Sequence, residues 1–158
     1  MSEASVFISE DNKATVEAAL KDAISSQFSD VELVEVRYFK QYGSNTVELL
    51  IWKKSGISLN DCEAVHNIVS DELDKLDDLF LTAYTLNISS LGLDRKIVTD
   101  DDFRRALETE IECVDKDKKK TVGVLEAYDS KSITVISGTQ KKTLLRNNLT
   151  KVQPYVRF

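Results

Sequence analysis

The chain has few of the residues that break, bridge or catalyse. One Pro and five Gly in 158 residues leave no material for a long flexible or polyproline linker, so any domain junction must be short. The single histidine, His66, lies inside an acidic amphipathic stretch, where a structural or surface role is the default. With no second histidine to act as a base, neither a Ser/His/Asp nor a Cys/His site finds support. The two cysteines, Cys62 and Cys113, lie far apart with no metal-type spacing, which predicts reduced, core-packed thiols in a cytosolic protein. There is no Gly-rich phosphate loop and no His/Cys metal cluster. The richest apolar run, Leu49-Leu50-Ile51-Trp52, falls far short of the ~20 residues a membrane span needs. The first residues carry neither a basic n-region nor an apolar core, so no signal peptide is expected. Neither an enzyme, a cofactor nor a membrane partner is expected from these residues.

What is present is charge, unevenly placed. The formal net charge is −6, but residues 1–91 hold 7 Lys+Arg against 16 Asp+Glu, while residues 92–158 hold 14 against 11. An acidic front half repels a phosphate backbone and favours a basic protein partner; the mildly basic back half can meet RNA. The sign changes at the stretch Tyr84 to Arg105, where Tyr84, Leu86 and Ile88 alternate as in a half-buried strand. Ser89, Ser90 and Gly92 then break that pattern. This predicts two domains, 1–91 and 92–158, with a junction at 92–100.

Along the front half, Val16, Leu20, Ala23 and Ile24 share one helical face over roughly 11–26, with Ser9 or Asp11 as cap. Val34, Val36 and Tyr38 alternate with Glu35 and Arg37. After the turn residues 41–45, Val47, Leu49 and Ile51 do the same, so the two segments predict an antiparallel hairpin. Leu50 and Trp52 fall on its other face, either covered or an exposed patch, the covered reading being favoured. Ser58 and Asp61 have capping-box spacing ahead of a second helix whose stripe is Cys62, Val65, Val69, Leu73 and Leu76. Its opposite face carries Glu63, Ser70, Asp71, Asp74, Asp77 and Asp78. That face is either simply solvated or an acidic docking surface, with Glu63, Asp71 and Asp74 the candidates.

In the back half, Asp100-Asp101-Asp102 followed by Arg104 and Arg105 suits a short helix, acids at its start and bases after them. Five short strands then follow, with Asp129-Ser130-Lys131 and Ser137-Gly138-Thr139 as turns and the last strand at Val152–Val156. That spacing predicts a small β-barrel. Lys118, Lys119 and Lys120 form a hairpin tip, either solubilising or a phosphate contact to rRNA. The fold class is therefore α+β: an α/β domain of three strands and two helices, then the barrel.

Three stretches carry a family resemblance. Ile88-Ser-Ser-Leu-Gly-Leu-Asp-Arg95 resembles the S-S-P-G-L-D-R signature of the bacterial ribosome maturation factor RimP. Gly56-Ile-Ser-Leu-Asn-Asp-Cys62 is similar to that family's second-helix opening, and Leu149–Phe158 to its closing strand. Leu91 and Lys96 stand where the family has prolines, and Asn87 where it commonly has an acid, marking a divergent member. The resemblance implies that the barrel is Sm-like or SH3-like. It also implies a cytoplasmic, monomeric, non-enzymatic assembly factor without a cofactor. Such a factor binds the free small ribosomal subunit near a basic ribosomal protein of the decoding region and assists its late maturation. Ser89, Ser90, Gly92, Leu93, Asp94 and Arg95 are then the interaction or junction residues. Arg95 with Asp94 either contacts the partner or locks the domains together. The rival function is an RNA-binding regulator using an Sm-like module, for which the back half offers only Phe103, Tyr128, Tyr155 and Phe158 as stacking aromatics.

Overall fold

Ser9 starts the first helix because its hydroxyl accepts from the Asn12 N–H at 3.2 Å, satisfying one of the amides a helix leaves open at its start. The computed structural model describes residues 7–91 and 95–155. The chain divides into two compact units, Met1–Leu91 and Gly92–Phe158.

The first unit runs α1 (Glu10–Gln27), β1 (Val31–Gln41), β2 (Ser44–Lys53), α2 (Leu59–Asp74) and β3 (Thr85–Ser90). β1 and β2 form the predicted antiparallel hairpin, closed by Tyr42 and Gly43 at φ 51° and 79°. Positive φ at both central residues is the two-residue turn whose twist matches the strands, and Gly adopts it without a Cβ clash. β3 adds parallel to β2, giving the order β1-β2-β3 with α2 as the crossover. Val47, Leu49 and Ile51 are fully buried against Val16 and Leu20 of α1 and Val65 and Val69 of α2. Each such side chain contributes roughly 1.5–3 kcal/mol of burial.

Two details differ from the alternation expected of the sequence. The β1 register jumps from Leu33↔Ile51 to Glu35↔Leu50, so Val34 is the extra residue of a bulge. Leu33 lies on the core face before it and Val36 and Tyr38 after it; Val34 does not share their face. On the other side of the sheet, Leu50 is 6% and Thr46 2% exposed, while Trp52 is half-buried, so the Leu50–Trp52 pair is not an open patch.

The second unit contains α3 (Asp100–Ala106), β4 (Glu110–Asp115), β5 (Lys120–Tyr128), β6 (Ser132–Ser137), β7 (Gln140–Leu145) and β8 (Leu149–Pro154). They make one five-stranded sheet in the order β7-β6-β5-β4-β8, every pair antiparallel. Residue Val156 of the expected last strand lies outside the described residues. β5 is shared: residues up to Val124 pair with β4, and those from Val124 onward with β6, with a bulge between Leu125 and Ala127. Its inward residues are Thr121, Gly123 and Leu125, not the valines between them. A Cβ on Gly123 would fall against the Ile136 carbonyl oxygen and 2.6 Å from Val135 Cγ1, so β6 can approach β5 this closely only because this residue has no side chain.

Candidate functional site

The seam begins at the end of β3, where parallel pairing sets Ser89 beside Leu50 and Ser90 beside Ile51. The Ser89 hydroxyl donates to Glu48 Oε2 at 3.3 Å, and Arg37 lies 3.8 Å from the other Glu48 oxygen. Asn87, where the resembled family has an acid, stands directly across from Glu48. A carboxylate there would place two like charges in a cross-strand pair; an amide does not. Leu91 carries the ladder one residue further, its N–H donating to the Ile51 carbonyl at 3.0 Å. A proline has no such donor, so the departure at Leu91 exchanges a fixed φ for a hydrogen bond. Gly92, Leu93 and Asp94 lie outside the described residues.

Arg95 places Nε 3.9 Å from Asp102 Oδ1. Asp102 is a focal point that the acid-rich helix start concealed. Thr99 and Asp102 form a capping box: Thr99 Oγ1 accepts from the Asp102 N–H, while Asp102 Oδ2 accepts from the N–H groups of Val98 and Thr99, both at 3.0 Å. Its other oxygen accepts from Arg105 at 2.9 Å, with both side chains under a tenth exposed. Burial opposes ionisation of this carboxyl, yet the two amides and the Arg105 guanidinium outweigh it and hold its pKa below the usual carboxylate range. A Thr-x-x-Asp spacing followed three residues later by Arg was the available signal. It was masked because Asp100 and Asp101, which are exposed, look the same in sequence.

On α2, a complete capping box at Ser58 and Asp61 fixes the start of the helix. Glu63, Asp71 and Asp74 are all exposed. Asp71 lines a cleft of about 420 Å³ between α1 and α2, together with Asp22, Glu72 and Lys75. Asp74 lines another of about 290 Å³, with Asp77, Tyr84 and Leu86. Burial, and then the Asp77 and Asp74 carboxylates, push the Tyr84 phenol above its ordinary pKa, a local sign of the negative field. Asp71 and Asp74 are thus neighbours one turn apart. Glu63 stands earlier by eight residues, or about 12 Å along the axis at ~1.5 Å per residue, so it shares the face but not the clefts.

The lysine tip is a β4–β5 hairpin whose turn is held by Asp115, its Oδ1 accepting from the N–H groups of Asp117 and Lys119 at 2.9 Å each. Lys120 pairs with Glu112 at 3.2 Å, while Lys118 and Lys119 are exposed. Burial and then the nearby Glu112 push the Cys113 thiol up to about 11, so it is not a thiolate nucleophile at neutral pH. Among the described residues no three His, Cys, Asp or Glu side chains converge on a metal position, and no helix is long and apolar enough to cross a membrane.

The pattern of the first unit is a known one. Residues 20–94 match the family model described as the RimP N-terminal domain. That span runs from the buried face of α1 through the hairpin, α2 and β3 to the seam. The first unit is therefore a RimP N-terminal domain, which supports membership of the RimP family of ribosome maturation factors.

Proposed function

We propose that the chain binds the free small ribosomal subunit and assists its late maturation as a non-enzymatic, monomeric factor in the cytoplasm. The match of residues 20–94 to the RimP N-terminal domain carries this reading. In it the acidic N-terminal domain docks a basic ribosomal protein near the decoding region. Asp71 and Asp74, with Glu63 further along the helix, steer the positive partner onto α2. Their exposure and the charge of residues 1–91 support that role. The second domain closes into an Sm-like barrel that contacts rRNA or another protein, with Lys118 and Lys119 of the tip as phosphate contacts. The shared use of β5 by two ladders, its bulge and the steric need for Gly123 support closure. Arg95 acts as a junction residue, tying the seam to Asp102, and Ser89 and Ser90 end the strand that feeds it. Docking is transient and biases the subunit toward a productive arrangement.

The test is retention on immobilised free small subunits at graded salt. The triple variant Glu63→Lys/Asp71→Lys/Asp74→Lys loses most of its retention and its salt dependence, with an unchanged melting curve. Equal retention of the triple variant sinks the docking surface. Arg95→Glu separates the roles at the seam. Loss of retention with a normal fold makes Arg95 a partner contact, whereas intact retention with a loosened C-terminal unit makes it a lock.

A further inference from the structure

A pocket of about 190 Å³ opens in the second unit where the segment before α3 runs beside β8, the Ile97 N–H donating to the Val152 carbonyl at 2.8 Å. Its floor is apolar: Ile97, Phe103 and Val152 are each less than a tenth exposed, and Leu149 adjoins them. Its rim is cationic, with Lys96, Arg146 and Lys151 and, among the described residues, no acid in the lining. Lys96 and Lys151 are exposed. Arg146 is held in one orientation: its guanidinium lies over the Phe103 ring at 4.4 Å and donates to Asp100 Oδ1 at 2.6 Å and to the Asp129 carbonyl at 2.7 Å. Asp100 offsets the Arg146 charge, so the free positive charge at the mouth comes from the two lysines. Val98, also in the lining, is 67% exposed, an apolar surface left open beside those charges.

We infer that this pocket binds one nucleotide of single-stranded RNA, its base against the apolar floor and Arg146, and its flanking phosphates on Lys96 and Lys151. The volume is below the roughly 300 Å³ at which pockets for drug-sized ligands begin, so it admits one ring system rather than an extended ligand. A fixed guanidinium plane is a surface on which an unpaired base stacks, and lysines beside it neutralise phosphates without fixing the sequence. An acidic peptide brings the charge but no flat apolar face for the floor, and therefore fits less well. The inference deepens the proposal that the second unit meets rRNA and rests on it, but it names a place distinct from the lysine tip.

Fluorescence polarisation of a short labelled oligouridine with the full chain at low salt tests it, with a labelled Asp/Glu-rich peptide as the second probe. The wild type binds the RNA. Lys96→Glu/Lys151→Glu binds at least about tenfold more weakly, and the slope of log affinity against log salt falls by about 1.4, the loss of two single-strand phosphate contacts. Both lysines are exposed, so the variant folds; the milder Lys96→Gln/Lys151→Gln, which also removes both phosphate contacts and so loses a slope of about 1.4 without adding repulsion, guards that point. No binding by the wild type, or an unchanged affinity and slope in both variants, overturns the inference. Binding of the acidic peptide in place of RNA overturns the ligand class. Retention on small subunits, measured alongside, separates the two levels: retention without oligouridine binding removes the pocket alone, and absence of retention removes the assembly role.

Discussion

Asp102→Ala removes the group on which the start of the second unit depends. The substitution deletes the acceptor for the Val98 and Thr99 amides and the carboxylate 2.9 Å from Arg105. Loss of such a cap costs about 1 kcal/mol, and leaving a buried guanidinium without its carboxylate costs roughly 3–5 kcal/mol. Arg105 has further interactions, and neighbouring effects do not add, so the expected loss is about 3–4 kcal/mol. That is a large share of the stability of a small domain. Far-UV circular dichroism in urea reads it, because the sole tryptophan, Trp52, lies in the first unit and its fluorescence does not report on the second. Asp102→Asn keeps the shape and loses the charge, and falls between wild type and alanine. The acid limb follows with its sign. The folded pKa of Asp102 lies below its unfolded value near 3.8, so its contribution is fully present above that value and is lost as pH falls through the folded one. The wild type therefore loses stability in that window more steeply than Asp102→Asn. A loss below about 1 kcal/mol for Asp102→Ala, no larger than an ordinary exposed cap gives, would refute the assignment of Asp102 as a buried anchor.

Gly123→Ala places a methyl group against the Ile136 carbonyl and 2.6 Å from Val135 Cγ1; it destabilises the second unit by about 1–3 kcal/mol, seen as a lowered thermal transition, and a neutral result means that β5 and β6 do not approach as described. Ser58→Ala breaks the capping box of α2 and lowers the urea stability of the first unit by about 1 kcal/mol, read by Trp52 fluorescence; no change leaves the box without energetic weight. The Leu91 amide, bonded to Ile51 at 3.0 Å, exchanges slowly with solvent deuterium, like the β3 amides before it. Exchange at the rate of an open loop contradicts the extension of the ladder through the position where the family has proline.

Much of this architecture is legible from local chemistry. Ser9, the Val16–Leu20–Ile24 face, the turn at Tyr42-Gly43 and the Ser58–Asp61 box each report on a few neighbouring residues, and periodicity resolves such signals. The bulge at Val34 is not legible, because the adjacent apolar residues Leu33 and Val34 satisfy either phase of the strand. In β5 the buried residues are Thr121, Gly123 and Leu125, and Gly123 meets Val135 and Ile136 of β6, a strand that comes later in the chain. Asp102 hides among three consecutive aspartates because sequence gives no burial, and only packing selects which of them holds Arg105. The cation-rimmed pocket joins Lys96 to Arg146 and Lys151, residues far apart in the chain that the Ile97–Val152 hydrogen bond brings together. The acidic face of α2 was visible as a pattern; that Asp71 and Asp74 line neighbouring clefts while Glu63 does not is a result of where α1 and β3 pack.

The central claim is that this chain acts on the small ribosomal subunit, and sucrose-gradient sedimentation tests it most directly. Wild-type protein mixed with an extract of separated subunits is expected in the free small-subunit peak, depleted from the large-subunit and joined-ribosome peaks, and released as salt is raised. Folded protein that stays at the top of the gradient at low salt, or that spreads equally over all ribosomal peaks, contradicts the account.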